Sequence, residues 1–457
     1  MFSIDTIAAI STPIGYGGIA VIRISGSRSF FIADTLFCGI SRTDKPSDWD
    51  GYSCAYGKII YKDEFLDECI LSVYKKPRSY TGEDVVEISV HGGIYSAGRI
   101  LKAIYDLGVR SALPGEFTEI AVINGKTTLT QAEAVIDIIA SKGETELRSA
   151  LSMREGVLYK EIKAVSDSLT KLLAGLGVWA DYPDDEDIES IAGISQKNIH
   201  NVINNAINTL SKLADGYSFG QLIKSGIPLC IAGKPNVGKS SIMNMLSKAE
   251  KSIVTDIPGT TRDVIENEIR LGDLVYRVFD TAGIHETHDP IEQTGTALAK
   301  KKISEAEIVL AVFDGSRELD KSDEDIIGLS SNAIAVINKS DLPQKINNEY
   351  IKSRYKHIVE LSAKTSDGLD ELIAAISKQS KRAVAGTDII LNERQYSCAK
   401  RAKDVLTETA ERIEAGLPLD AAGVLIESAL AILSDLVGES PTAAVTRSIF
   451  ENFCVGK

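Results

Sequence analysis

Nowhere does the sequence of 457 residues hold an uninterrupted apolar run of the ~18 to 20 residues that a membrane-spanning helix needs. The opening Met1-Phe-Ser-Ile-Asp-Thr6 lacks a basic stretch followed by a long apolar one, so no secretory leader is expected. Cysteine is scarce. Cys38, Cys54, Cys69, Cys230, Cys398 and Cys454 form no C-x-x-C pair and no zinc spacing, and most are expected to be small core residues in a reducing compartment. Positive charge is in deficit, with 50 Lys and Arg against 64 Asp and Glu and a net charge of −14. That balance opposes broad, nonspecific nucleic-acid binding and leaves room only for a local basic patch. The expectation is a cytoplasmic protein with no membrane segment.

What is present is the composition of a folded chain, 44% apolar and 25% charged, and too long for one ordinary core. Residues 1–122 alternate β-branched runs (Gly18–Ser25, Lys58–Tyr61, Cys69–Tyr74, Asp84–His91) with helical patterns at Ser27–Leu36 and Ser96–Leu107, which predicts an α+β domain. Residues 123–222 turn helical, with amphipathic runs at Gln131–Ser141, Glu144–Lys163 and Gln196–Ala214. Asp181-Tyr-Pro-Asp-Asp-Glu-Asp187 interrupts them and reads as a solvated turn with N-capping groups, a metal site being the alternative. Residues 223–384 alternate strands and helices, the pattern of a doubly wound parallel sheet. Residues 385–457 are helical again at Asn392–Ala415 and Ala421–Val437. A helical region divided by an α/β segment suggests an insertion, with the two helical halves forming one domain and a lever for nucleotide-dependent motion.

The α/β segment carries Gly233-Lys-Pro-Asn-Val-Gly-Lys-Ser-Ser241, a G-x-x-x-x-G-K-S loop between the apolar run Ile227–Ala232 and the helical pattern Ile242–Lys248. Strand, glycine loop and helix start aim consecutive N–H groups and the positive end of the helix at one small volume, which suits a polyphosphate. Gly233 and Gly238 let the backbone approach the phosphates, Lys239 reaches the β/γ-phosphates, and Ser240 ligates Mg²⁺. Asp280-Thr-Ala-Gly283 follows the strand Leu274–Phe279; Asp280 can hold Mg²⁺ through water while Gly283 offers an N–H to the γ-phosphate. Asn338-Lys-Ser-Asp341 follows Ala333–Ile337, and the Asp341 carboxylate can accept from both N–H edges of guanine, a pair that adenine lacks. Ser362-Ala-Lys364, after His357–Leu361, fits the loop behind guanine O6. Each tetrapeptide alone is more often an ordinary loop; four in order at strand ends specify a GTPase.

Other segments carry a resemblance over nearly the whole length. Gly17-Gly-Ile-Ala-Val-Ile-Arg-Ile-Ser25, Ser79-Tyr-Thr-Gly-Glu-Asp-Val-Val-Glu87, His91-Gly-Gly93, Pro114-Gly-Glu-Phe-Thr118, Asn124-Gly-Lys126, Gln131-Ala-Glu-Ala134, Thr255-Asp-Ile-Pro-Gly-Thr-Thr-Arg-Asp263 and Phe453-Cys-Val-Gly-Lys457 resemble the bacterial tRNA modification GTPases of the MnmE/TrmE family, which act with a flavin-dependent partner on the wobble uridine. The resemblance implies an N-terminal α+β domain that binds a folate and dimerises, an all-α domain, and an inserted α/β P-loop G domain that hydrolyses GTP when two G domains meet across K⁺. It assigns GTP contacts to Asn236, Val237, Gly238, Lys239, Ser240 and Ser241, and to Thr255, Asp256, Ile257, Pro258, Gly259, Thr260 and Thr261. Asp280, Thr281, Ala282 and Gly283 follow, then Asn338, Lys339, Ser340 and Asp341, then Ser362, Ala363 and Lys364. Mg²⁺ falls to Ser240 and Thr261, and K⁺ to Asn236, Thr255, Ile257 and Thr260. Residue chemistry agrees with a need for such an ion. Ile284 stands where small GTPases often carry a water-orienting glutamine, and no arginine occupies an obvious finger position. Glu292 matches the family's catalytic glutamate, although its position alone reads as a helix N-terminal carboxylate favoured by the dipole.

The resemblance also carries binding of 5-formyl-tetrahydrofolate or a related folate onto Arg23, Glu87, Lys126 and Lys457, and a role in modification onto Cys454. Without it, Arg23, Glu87 and Lys126 read as surface charges and Cys454 as a small apolar anchor. The family usually has arginine where Leu113, Ile120 and His285 stand and aspartate where Thr128 stands, departures that touch N-terminal surface contacts and the loop after Gly283. The implied assembly is a homodimer that joins the flavin-dependent partner, as a heterotetramer, on tRNA. The function expected is K⁺-activated GTP hydrolysis coupled to aminomethyl or carboxymethylaminomethyl addition at C5 of the wobble uridine. A regulatory switch in ribosome assembly or signalling, without its own tRNA chemistry, is the alternative; the N-terminal domain and Cys454 argue for the former.

Overall fold

Alternation along the second strand sets the frame of the N-terminal sheet: Ala20, Ile22 and Ile24 are buried, while Val21 and Arg23 face the other side. The computed structural model describes residues 5–181, 195–249, 267–280, 303–327, 333–384, 389–439, 449–450, 453 and 455–456. They fall into two compact units, one built from Met1–Ile136, Met153–Ala206 and Arg401–Lys457, the other from Asp137–Ser152 and Ile207–Lys400. Among the described residues no helix is long and apolar enough to cross a membrane.

The first unit opens with β1 (Ile7–Ile10), β2 (Ile19–Ser25), α1 (Ser29–Leu36), β3 (Phe37–Gly39), β4 (Ser53–Tyr61), β5 (Glu64–Tyr74), β6 (Val85–His91), α2 (Ile94–Asp106), β7 (Arg110–Ser111) and α3 (Glu116–Ile123). The strands form one sheet in the order β3-β4-β5-β6-β2-β1-β7, antiparallel except for the β1–β7 pair. Buried Ile100 and Ile104 of α2 and Ile32 and Leu36 of α1 cover the face formed by Ile22, Ile24, Val86 and Ile88. Register places Arg23 opposite Glu87, and Glu87 opposite Ser72, on the other face.

Helices follow: α4 (Leu129–Ala140), α5 (Glu144–Arg154), α6 (Val157–Asp181), α7 (Gln196–Asp215) and α8 (Tyr217–Ser225). Thr128 starts α4 as a capping box, its Oγ1 accepting from Gln131 N at 3.3 Å while Gln131 Oε1 accepts from Thr128 N at 3.0 Å. The apolar periodicity that suggested one helical run over Glu144–Lys163 is broken in the structure, because Gly156 takes φ +80° and ends α5 before α6 begins. The acidic run from Tyr182 to Asp187 lies outside the described residues.

The second unit contains β8 (Ile227–Gly233), α9 (Lys239–Ala249), β9 (Asn267–Leu271), β10 (Leu274–Asp280), β11 (Ile308–Asp314), α10 (Lys321–Ile327), β12 (Ile334–Asn338), α11 (Asn348–Arg354), β13 (His357–Glu360), α12 (Leu369–Val384) and the start of α13 (Glu393–Glu414). Its sheet runs β13-β12-β11-β8-β10-β9, parallel except where β9 meets β10. β8, β11 and β12 are buried almost throughout, as strands covered on both faces must be. β8 lies between β10 and β11, so the strand order reverses there and the loop after β8 opens onto the crevice at the carboxyl ends. Back in the first unit, α14 (Leu419–Val437) packs along α6, although the α/β segment separates them in sequence. Phe450 and Phe453 close that unit's core against Leu129 and Ala132.

Candidate active site

Loop conformation after β8 depends on residues that tolerate a left-handed backbone. Asn236 has φ +63° and Gly238 has φ +102°. A Cβ on Gly238 would lie 2.1 Å from Asn338 Nδ2, and one on Gly233 would lie 2.7 Å from Val312 O, so both positions exclude a side chain. Lys239 begins α9, and its ammonium donates to Gly233 O and Lys234 O, each at 2.8 Å. The loop thereby curls around its own lysine with the helix start beside it, the arrangement that receives phosphate oxygens.

Asn338 ties three motifs together. Its Nδ2 donates to Val237 O at 2.7 Å, and its Oδ1 accepts from Ala363 N at 3.0 Å, so the phosphate loop, the end of β12 and the loop after β13 share one anchor. Ser362 Oγ donates to Asp341 Oδ1 at 2.8 Å, which orients the carboxylate, and Ser340 N donates to Leu361 O at 3.1 Å. Asn236, Gly238, Lys239, Ser240, Ser241, Asn338, Lys339, Asp341, Ser362, Ala363 and Lys364 line a single cavity of about 950 Å³. Val237 and Ser340 serve it through the backbone bonds just described. Pro235 and Leu342 also line it and carry no motif signal, being ordinary loop residues in sequence.

Asp314 was missed as well. At the end of β11 it accepts from Lys339 Nζ at 2.6 Å, Ser316 Oγ at 2.6 Å and Arg317 Nε at 2.9 Å. Burial works to raise this carboxyl, but the hydrogen bonds from Lys339, Ser316 and Arg317 outweigh it and hold Asp314 well below the ordinary carboxylate range. Its signal in sequence was the one that marked Asp280, an aspartate ending an apolar strand.

Thr255, Asp256, Ile257, Pro258, Gly259, Thr260 and Thr261 lie outside the described residues, as do Thr281, Ala282, Gly283, Glu292, Cys454 and Lys457. Asp280 is the last residue of β10. Among the described residues no group of three or more His, Cys, Asp and Glu could hold a metal. Ser240 and Asn236, the described members of the implied Mg²⁺ and K⁺ sets, both line the nucleotide cavity and offer oxygen donors suited to such ions.

In the N-terminal sheet, the Arg23 guanidinium meets Glu87 Oε1 at 2.8 Å through both Nε and Nη2. It stacks near Tyr80, 5.2 Å from the ring centroid, and Phe117 at 5.6 Å. Arg23 Nη1 and Ser11 Oγ both donate to Gly456 O, at 3.3 and 3.0 Å, and Val455 bridges to Pro114. The flanks of Cys454 therefore rest beside Arg23. Lys126 sits apart from the pair and donates to Pro77 O at 3.0 Å. The Glu87 carboxylate and the Arg23 guanidinium offer an acceptor and a cation side by side, groups of the kind that fit a folate. Of the departures from the family pattern, Leu113 is exposed, Ile120 is buried, and Thr128 caps α4.

A family profile described as the MnmE helical domain matches residues 129–454, and one described as the N-terminus of the GTP-binding protein TrmE matches residues 6–126. The tRNA modification GTPase MnmE of Carboxydothermus hydrogenoformans is 39% identical over 464 residues, covering 99% of both chains. Its counterpart from Acetivibrio thermocellus is 39% identical over 469 residues and covers 100% of both. That from Lactobacillus delbrueckii subsp. bulgaricus is 35% identical over 461 residues, covering 99% of this chain and 98% of its own. The solved G domain of the T. maritima FeoB iron transporter, 23% identical, is covered to 98% and covers 34% of this chain. At a TM-score of 0.26 that likeness carries no weight. Matches spanning both ends of the chain at this identity, on top of the phosphate and guanine geometry, establish that the chain belongs to the MnmE family of tRNA modification GTPases.

Proposed function

We propose that this protein hydrolyses GTP to GDP and phosphate under K⁺ activation and, with a flavin-dependent partner protein, installs an aminomethyl or carboxymethylaminomethyl group at C5 of the tRNA wobble uridine. The observation that supports it most is the anchoring of phosphate loop, guanine motif and backing loop by Asn338 around one cavity. In this reading Lys239 exchanges the carbonyls of Gly233 and Lys234 for β/γ-phosphate oxygens. Asp341 accepts the two guanine N–H groups, because an oxygen already bonded to Ser362 keeps a second acceptor site. Ser240 and Thr261 hold Mg²⁺, Asn236, Thr255, Ile257 and Thr260 hold K⁺, and Glu292 orients the attacking water. Bound Mg²⁺ and K⁺ supply the positive charge on which phosphoryl transfer depends.

The same reading divides the chain at 122, 222 and 384, places a folate at Arg23, Glu87, Lys126 and Lys457, and assembles the protein as a homodimer within a heterotetramer on tRNA. Its test is GTP turnover in K⁺ against Na⁺. K⁺ is expected to be faster by at least about 10-fold, ~1.4 kcal/mol of barrier, and Asn236→Ala to lose the difference while still binding GTP. Equal rates in the two salts would contradict K⁺ activation.

A further inference from the structure

A second cavity, of about 160 Å³, lies wholly within the first unit, between the Ser79–Tyr80 segment, α3, α4 and the end of α5. Lys126 and Arg154 both line it, with Tyr80, Thr118 and Thr127, and among the described residues no carboxylate does. Three arginines of this unit are matched with acids, Arg23 with Glu87, Arg99 with Glu64 and Arg110 with Glu116, and Arg28 donates to the carbonyls of Leu107 and Gly108. Arg154 differs. It is half-buried, and among the described residues its guanidinium has no ion pair or hydrogen bond; only its backbone carbonyl is engaged, by Gln131 Nε2 at 3.1 Å. Among the described residues Lys126 has only the Pro77 carbonyl. In a chain of net charge −14, two cations lining one cavity with no acid among the described residues mark a place for an anion.

The hydroxyls agree with that sign of charge. Tyr80 Oη and Thr118 Oγ1 share one hydrogen bond of 2.8 Å, which uses one of their two protons and leaves the other to donate. The volume suits a carboxylated side chain and is too small for a bicyclic ring with its linker. Tyr80 also fixes where the cavity lies. Its ring carries the Arg23 guanidinium at 5.2 Å and it lines the cavity too, so the space begins one aromatic ring from the Arg23–Glu87 pair.

We propose that this cavity takes the carboxylates of the glutamyl tail of a pteroylglutamate whose pterin lies at Arg23 and Glu87, with Arg154 as the residue that selects for the tail. The inference rests on the folate reading above. Lys126 holds the near side of the tail as a point charge, and the planar fork of Arg154 meets a carboxylate through two parallel N–H bonds.

The experiment is equilibrium binding of two probes to the purified full-length protein: 5-formyl-tetrahydrofolate, and the matching 5-formyl-tetrahydropteroate, which lacks the glutamate. The wild type is expected to prefer the glutamate-bearing probe by about 10-fold, one decade per ~1.4 kcal/mol. In Arg154→Gln the preference disappears, and Arg154→Lys keeps part of it, with melting temperature measured on each variant. A wild type that binds both probes alike, or a folded Arg154→Gln protein that retains the preference, overturns the assignment of the cavity. A wild type that binds neither overturns the folate reading itself.

Discussion

Lys339 Nζ donates to Asp314 Oδ2 at 2.6 Å, which joins the lysine of the guanine motif to the end of the neighbouring strand β11. The Asp314 side chain is only 6% exposed, so this pair fixes a lysine that lines the nucleotide cavity. Lys339 itself has φ +67°, a backbone state that needs such support. Replacing Asp314→Asn removes the charge and keeps the shape. Nucleotide affinity is expected to fall about 10-fold, ~1.4 kcal/mol. Adding Asp314→Asn to Lys339→Ala is expected to cost little more, which a titration of a fluorescent GDP analogue on the two single variants and the double variant would measure.

The same carboxyl gives a dependence on pH with a definite sign. Its pKa in the folded chain is depressed, so its stabilisation is complete above the unfolded value of ~3.9 and is lost as pH falls from there through the folded value. The gap in melting temperature between wild type and Asp314→Asn is expected to stay level from about pH 8 to pH 5 and to narrow only below about pH 4. A gap that closes between pH 7 and 5 would show that another group controls it.

Gly238→Ala tests the closest approach in the site. The new Cβ would meet Asn338 Nδ2 at 2.1 Å on a backbone at φ +102°, so the tie to Val237 must break. A cost of roughly 1–3 kcal/mol from backbone strain alone is expected, with nucleotide affinity falling further than the melting temperature implies. Unchanged affinity would mean that Asn338 does not organise the cavity.

How much of this was legible in sequence differs between the two units for a physical reason. In the G domain, function sits in short contiguous runs at strand ends, so Lys239, Asn338, Asp341 and Ser362 could be named before any contact was known. Their convergence at one cavity follows from a parallel sheet whose strand order reverses at β8. The N-terminal cluster is built by register and by chain closure instead. Arg23 and Glu87 are paired by the β2–β6 ladder, and Gly456 reaches Arg23 only because Phe450 and Phe453 seat the tail on Leu129 and Ala132. No local pattern announces either event, and only the family resemblance named those residues. Asp314 and Arg154 lie in no motif; their importance is that, among the described residues, one charge is matched and the other is not.

His91 supplies a prediction outside the nucleotide site. Its Nδ1 lies 2.7 Å from Asp67 Oδ1, and the hydrogen bond and charge of Asp67 raise the imidazole above its ordinary value. The raised folded value means that this contact contributes fully below the unfolded pKa of ~6.5 and is lost as pH rises through the folded one. A proton NMR titration is expected to place the His91 midpoint above ~6.5, and Asp67→Asn to lower it. A midpoint at or below the ordinary value would remove the pair as a charged contact.

Cys454→Ser separates the motor from the chemistry. Its neighbours Val455 and Gly456 rest on Pro114, Ser11 and Arg23, beside the proposed folate site. GTP turnover is expected to stay near the wild-type rate while wobble-uridine modification is lost, provided melting shows the variant folded. A thiolate there would act as a nucleophile or base. Wild-type modification by a folded Cys454→Ser protein would leave Cys454 as packing.

The most direct measurement is the nucleoside composition at the tRNA wobble position in cells lacking this protein. Uridine lacking the C5 group is expected, with the modification restored by the wild-type gene and not by a Lys239→Ala variant that cannot hold the phosphates. If the aminomethyl or carboxymethylaminomethyl nucleoside persisted at its normal level without the protein, the GTPase would act as a regulatory switch elsewhere and the modification reading would be wrong.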